Sequence, residues 1–196
     1  MPLPLGIDHA VIAVRDLDAA AASFRALGFT LSPRGYHSIG SQNHCIMFGT
    51  TYIELLAAPV SHPWLDYYRA FGEGLAAIAL ATADADEAYR ELQGVGAKSP
   101  MDLSRPVDGG VARFRLVQIE RAPQVFLVQH LTPELVWRRE WQAHSNGAGE
   151  LVGVSLAAKK PFAGLPAAIE WQRSAELRIS GLRREGEASG VRLVPA

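Results

Sequence analysis

A chain of 196 residues with 48% hydrophobic and 20% charged side chains has the composition of a soluble globular protein, long enough for one compact domain or two small modules sharing a core. Its 19 basic and 20 acidic residues leave a net charge of −1, and Arg138-Arg139 and Arg183-Arg184 are isolated pairs, which disfavours sequence-independent nucleic-acid binding. Cys45 is the only cysteine, so an intrachain disulfide is excluded and a reducing cytoplasm fits best; no export signal is read at the start, and no apolar run is long enough for a bilayer.

Residues 7–14 form a strand-length apolar run. A period of two places His9, Val11 and Ala13 on one face, and Ala10, Ile12 and Val14 on the other. Asp16 then caps a helix over residues 17–27, with Asp18 in its first turn, and Gly28 closes it. Residues 29–32 are expected to start a second strand, followed by a polar loop over 33–43. Residues 44–48 and 52–57 read as a hairpin, with Tyr52, Glu54 and Leu56 on one face. Residues 63–71 read as an amphipathic linker helix carrying Trp64, Leu65, Tyr68 and Phe71.

A shift of 68 residues brings the chain onto itself. Asp16 meets Asp84, Asp18 meets Asp86, Gly28 meets Gly96, and His9 meets Ala77. Strands are expected at 98–103, 111–119 and 124–130, so both units read β-α-β-β-β. Beyond a Trp-containing connector, a strand at 150–157, a short helix at 165–171 and strands at 176–180 and 191–194 suggest a partial third unit, with polar turns around 185–190. The expected class is α+β. It comprises a first module over 1–60, a linker helix over 61–73, a second module over 74–135, and a connector with the partial third unit over 136–196.

The stretch DHAVIAVRDLDAAAASFRALGF followed by YIELL resembles the vicinal oxygen chelate superfamily, which includes glyoxalase I, extradiol dioxygenases and bleomycin-resistance proteins. The loop from His37 to Asn43, QHLTPEL at 129–135 and WQAHSNGA at 141–148 are similar to bacterial glyoxalase-like domain proteins. The resemblance spans residues 6–158 and implies paired βαβββ modules whose mixed sheet curls around a cleft. Metal-dependent members hold a divalent ion there, and it acts as a Lewis acid on vicinal oxygens of a small substrate.

Carried onto this chain, the resemblance implies His9 and Glu54 as metal ligands and catalytic groups, with Gln129 at the last-strand position of the second module. Ala77 cannot ligate. His130 would replace Gln129 if a bulge turned it inward. Zn, Mn, Ni or Fe would suit such donors. No P-loop, G-x-G-x-x-G, G-x-S-x-G or H-E-x-x-H occurs, so no nucleotide cofactor is expected. The implied activity is metal-assisted lyase, isomerase or dioxygenase chemistry. One alternative is a metal-free protein that sequesters a small ligand; another is a metal-free enzyme with His9 as general base.

Around this pair the residues leave several readings open. His37, Asn43 and His44 could bind a substrate oxygen or serve the backbone of their loop. Arg113 and Arg115 would form an anion site if their strand face is the cleft. The apolar demand of Phe114 and Leu116 argues instead for an outward face. His144 belongs to a turn or to a lid over the cleft. Trp64, Tyr67, Tyr68, Trp137 and Trp141 fit a pocket wall or a helix core. The modules could pair within one chain or across a homodimer.

Overall fold

The computed structural model describes residues 6–196; the export-signal reading falls partly on residues 1–5, outside the described residues. The apolar run of the first unit becomes β1 (Ile7–Ala13), followed by α1 (Leu17–Ala26), β2 (Gly35–Tyr36), β3 (Gln42–Met47) and β4 (Tyr52–Ala57). After α2 (Asp66–Phe71), the second unit repeats this order as β5 (Gly74–Ala81), α3 (Ala85–Leu92), β6 (Met101–Val107), β7 (Gly110–Gln118) and β8 (Val125–His130). The capping chemistry repeats as well. Asp16 accepts from the Ala19 amide, and Asp84 accepts from the amides of Asp86 and Glu87.

The eight strands make one sheet in the order β2-β3-β4-β1-β5-β8-β7-β6. Each module pairs its first and last strands in parallel: Val11 lies opposite Glu54, and Ala79 opposite Phe126. The modules join within the one chain through antiparallel β1 and β5. The sheet curls until its two edges approach. There the Ser38 amide donates to the Ser104 carbonyl at 2.8 Å, and the Ser104 amide donates to the Ser38 hydroxyl at 3.3 Å.

Alternation divides the side chains into two cores. Ala10, Ile12, Ile53, Leu55, Ile78 and Leu80 face outward beneath Phe24 of α1 and Ala88 and Leu92 of α3. Val11, Tyr52, Leu56, Ala77, Phe126 and Val128 face the concave side. A second sheet covers part of the convex face. It consists of β9 (Glu150–Leu156), β10 (Ile169–Trp171), β11 (Glu176–Ser180), β12 (Gly186–Ala188) and β13 (Val191–Pro195), ordered β10-β9-β11-β13-β12. Leu151, Val154, Leu177 and Ile179 join the convex core.

Three sequence expectations are corrected. Residues 29–32 form no strand, because their polar groups find other partners. Thr30 donates its amide to His144 and its hydroxyl to the Ala143 carbonyl, while the Ser32 amide donates to Cys45. The expected helix at 165–171 is replaced by β10, since Ile169, Glu170 and Trp171 pair with β9 and the ladder outweighs the local apolar spacing. The polar stretch at 185–190 contains β12, paired to β13. No helix among the described residues is long and apolar enough to cross a membrane.

Candidate functional site

The concave face carries a line of polar groups on an apolar floor. His9 and Glu54, 4% and 8% exposed, sit side by side because β1 and β4 run parallel in adjacent register. His9 Nε2 lies 3.7 Å from Glu54 Oε2. The imidazole stacks on the Tyr52 ring at 4.2 Å and meets the edge of Phe126 at 5.6 Å. Asn43 Nδ2 donates to Glu54 Oε1 at 2.6 Å. His37 approaches the same oxygen with Nε2 at 4.0 Å, while its Nδ1 pairs with the Ser41 hydroxyl at 2.9 Å.

Asp8 was missed by the sequence reading. Strict alternation would turn it away from His9, but the β1–β5 register shifts between Ile7 and His9, and this irregularity brings its carboxylate to the concave side. It reaches His9 Nδ1 at 2.6 Å and His130 Nε2 at 3.1 Å. Burial by itself would raise the Asp8 carboxyl, but the hydrogen bonds from His130 and His9 outweigh it and bring the group down to about 2. An ionised carboxylate only accepts, so both imidazoles donate to it. In neutral His9 this leaves the Nε2 lone pair facing Glu54.

Arg105 of β6, 3% exposed, also lines the cleft. It was missed too, although a signal existed: it alternates with Met101, Leu103 and Val107, which pack into the concave core. Its guanidinium lies against Gly35. A β-carbon at Gly35 would fall 2.4 Å from Asn43 Oδ1 and 3.1 Å from Arg105 Cδ, so only glycine admits both side chains there. Burial, together with the Arg105 charge and in spite of Glu54, lowers His37 to about 4, and its ring is neutral near pH 7. Burial pushes the Cys45 thiol in the cleft wall up to about 12, leaving it unreactive.

Trp64, Leu65 and Tyr68 form one wall, and Leu103, Phe114, Leu116 and Val128 form another. Between these walls the cleft has room for a few waters or a small polar group. Trp137 packs on His130 at 4.6 Å, Tyr67 donates its hydroxyl to the Ala76 carbonyl, and Trp141 lies under Arg138.

The other sequence candidates lie elsewhere. Gln129 pairs with Arg115 across β7 and β8 and shares its outward face; its amide accepts from the Ala85 amide at 3.1 Å and donates to the Ala83 carbonyl at 2.8 Å, tying down the start of α3. The expectation of Gln129 as a ligand misplaces the repeat, since the partner of Ala79 that corresponds to Glu54 is Phe126. His130 reaches the concave side by ordinary alternation with Phe126 and Val128 and needs no bulge of its own. Arg115 pairs with Asp86 and Asp102 outside the cleft, and Arg113 stands beside it on an exposed groove. His44 donates Nδ1 to the Ser32 carbonyl on the convex side. His144 accepts from the Thr30 amide, donates to the Met47 carbonyl, and packs between Phe29 and Phe48. Neither histidine lines the cleft; both tie connecting segments to the sheet.

The donor set does not fit a resident divalent ion. Among the described residues no three His, Cys, Asp or Glu side chains are placed to hold one. Both ligand positions of the second module are apolar, as Ala77 and Phe126, and a buried arginine shares the cleft.

The glyoxalase-like domain family model matches residues 7–173. The chain therefore belongs to the glyoxalase-like domain family, within the vicinal oxygen chelate superfamily. A search of curated proteins by sequence gives no match. Among solved structures, the chain is similar to a hypothetical protein from Staphylococcus aureus, with a TM-score of 0.73 and 17% identity over 97% of this chain and 99% of that one. That likeness shows that the whole fold is shared, second sheet included. Looser similarity extends to methylmalonyl-CoA epimerase from Mycobacterium tuberculosis, with a TM-score of 0.49 and 24% identity over 66% and 89% of the two chains. It extends also to a mutant 4-hydroxymandelate synthase from Streptomyces coelicolor, with a TM-score of 0.48 and 19% identity over 81% and 48%.

Proposed function

We propose that this chain is a small-molecule enzyme in which His9 and Glu54 move a proton at a carbon beside a carbonyl group, giving isomerase or lyase chemistry. The observation that carries this reading is the buried Asp8–His9–Glu54 string on the concave face of the sheet. Asp8 holds the His9 ring through Nδ1 and favours the tautomer that leaves Nε2 free to accept a proton. Glu54 takes the proton from substrate carbon, and His9 accepts or returns it across the 3.7 Å gap. Tyr52 stacking fixes the ring.

Solvent-deuterium incorporation into glycolaldehyde, hydroxyacetone and hydroxypyruvate, followed by NMR, tests this. Wild-type protein should catalyse exchange without added metal, and Glu54→Gln should lose it by roughly 100-fold or more. Asp8→Asn should reduce the rate and displace its pH profile. Binding of these compounds without exchange, unchanged in Glu54→Gln, would sink the enzyme reading and favour sequestration. Exchange that required an added divalent cation would replace the direct route with a metal-assisted one.

A further inference from the structure

We infer that the ligand of this cleft carries a small carboxylate, and that Arg105 is the residue that binds it. The inference deepens the acid–base reading, since it names the substrate class for the same site.

Arg105 is a buried cation without a counter-ion among the described residues. Among them its guanidinium makes no hydrogen bond and no ion pair, and its Nε is buried without a partner. Burying a guanidinium in this way is costly unless an anion completes it. The carboxylates nearest in the cleft are committed elsewhere. Glu54 takes the Asn43 amide on one oxygen and faces His9 with the other, and Asp8 is shared by two imidazoles. His37, the other polar group beside Arg105, is neutral near pH 7 and supplies no charge. The position is not incidental to packing either, because Gly35 leaves space for the guanidinium stem and Asn43 together. Asn43 Oδ1, buried and also unpartnered, offers an acceptor for a hydroxyl next to the anion.

Shape narrows the choice. A planar carboxylate matches the guanidinium fork with two parallel hydrogen bonds. The buried part of the cleft suits so small a group. Arg105 lines the same cleft as Glu54 and His9, so an anion held by it shares that cleft with them.

Calorimetric titration with acetate, glycolate, pyruvate, the neutral isostere pyruvamide and inorganic phosphate tests the assignment. Wild-type protein should bind at least one carboxylate, and pyruvate at least tenfold more tightly than pyruvamide. Arg105→Met should weaken carboxylate binding at least 30-fold, while the ligand-free variant melts at the same temperature or higher. Arg105→Lys should fall between. Glu54→Gln should retain carboxylate binding even where deuterium exchange is lost, so that failure of the anion site and failure of the acid–base reading can be told apart. The proposal is overturned if no carboxylate binds, if pyruvamide matches pyruvate, or if Arg105→Met binds carboxylates unchanged. Phosphate binding more tightly than every carboxylate would also overturn it. So would an Arg105→Met protein that melts far lower, which would make the arginine a structural one.

Discussion

His37 ties the stability of the cleft to pH. Its ring sits among Glu54, Arg105 and His9, and burial lowers it to about 4 from an ordinary 6.5. The unfolded chain therefore binds a proton between pH 6.5 and 4 that the folded chain refuses, and stability falls as pH drops through that window. The full displacement corresponds to on the order of 3 kcal/mol. Urea midpoints at pH 7, 5.5 and 4.5 should fall for wild type and fall less steeply for His37→Gln. Equal slopes would show that His37 is not held neutral. Asp8, lowered to about 2, acts in a lower window, where stability is lost between about pH 4 and 2. At this scale His9 and Glu54 were legible from period two alone. Asp8 was not, because a strand irregularity sets its direction.

At the scale of elements, β8 shows how one position decides a role. Phe126, Val128 and His130 point into the concave core, while Leu127 and Gln129 point out. A slip of one residue exchanges the two sets, and the apolar run from 125 to 128 gives no cue to which face is which. Gln129 consequently supports α3 beside the Asp84 cap. Gln129→Ala should leave the buried Ala85 amide unpaired and cost about 1 kcal/mol, lowering Tm by roughly 2–4 °C. Carboxylate binding should not change; a loss of binding in this variant would return Gln129 to the site. The helix caps, by contrast, were legible in both units, since an aspartate bonding to the next amides is a local arrangement.

At the scale of the whole molecule, the second sheet packs on the first through the convex core and is tied to the turn after β3 by one carboxylate. Glu150 accepts from the amides of Thr50 and Thr51 and from the Thr51 hydroxyl, and Gly49 leaves space for it. Thr51 in turn accepts from the Leu151 amide. Removing these charge-assisted bonds with Glu150→Ala should cost about 2 kcal/mol and lower Tm by roughly 4–8 °C. Carboxylate affinity should be preserved, because the contact is on the convex side; a tenfold loss would mean that the second sheet shapes the cleft. By itself the sequence determined the βαβββ order of the two units apart from the place of β2, their caps, the two faces of β1 and β4, and an apolar residue at Ala77, because these follow from local pattern. Only the tertiary structure decided that Asp8 and Arg105 belong to the cleft, that Phe126 rather than Gln129 answers Glu54, and that His144 braces a loop. Those outcomes depend on the register between strands distant in the chain and on the closure of the curled sheet.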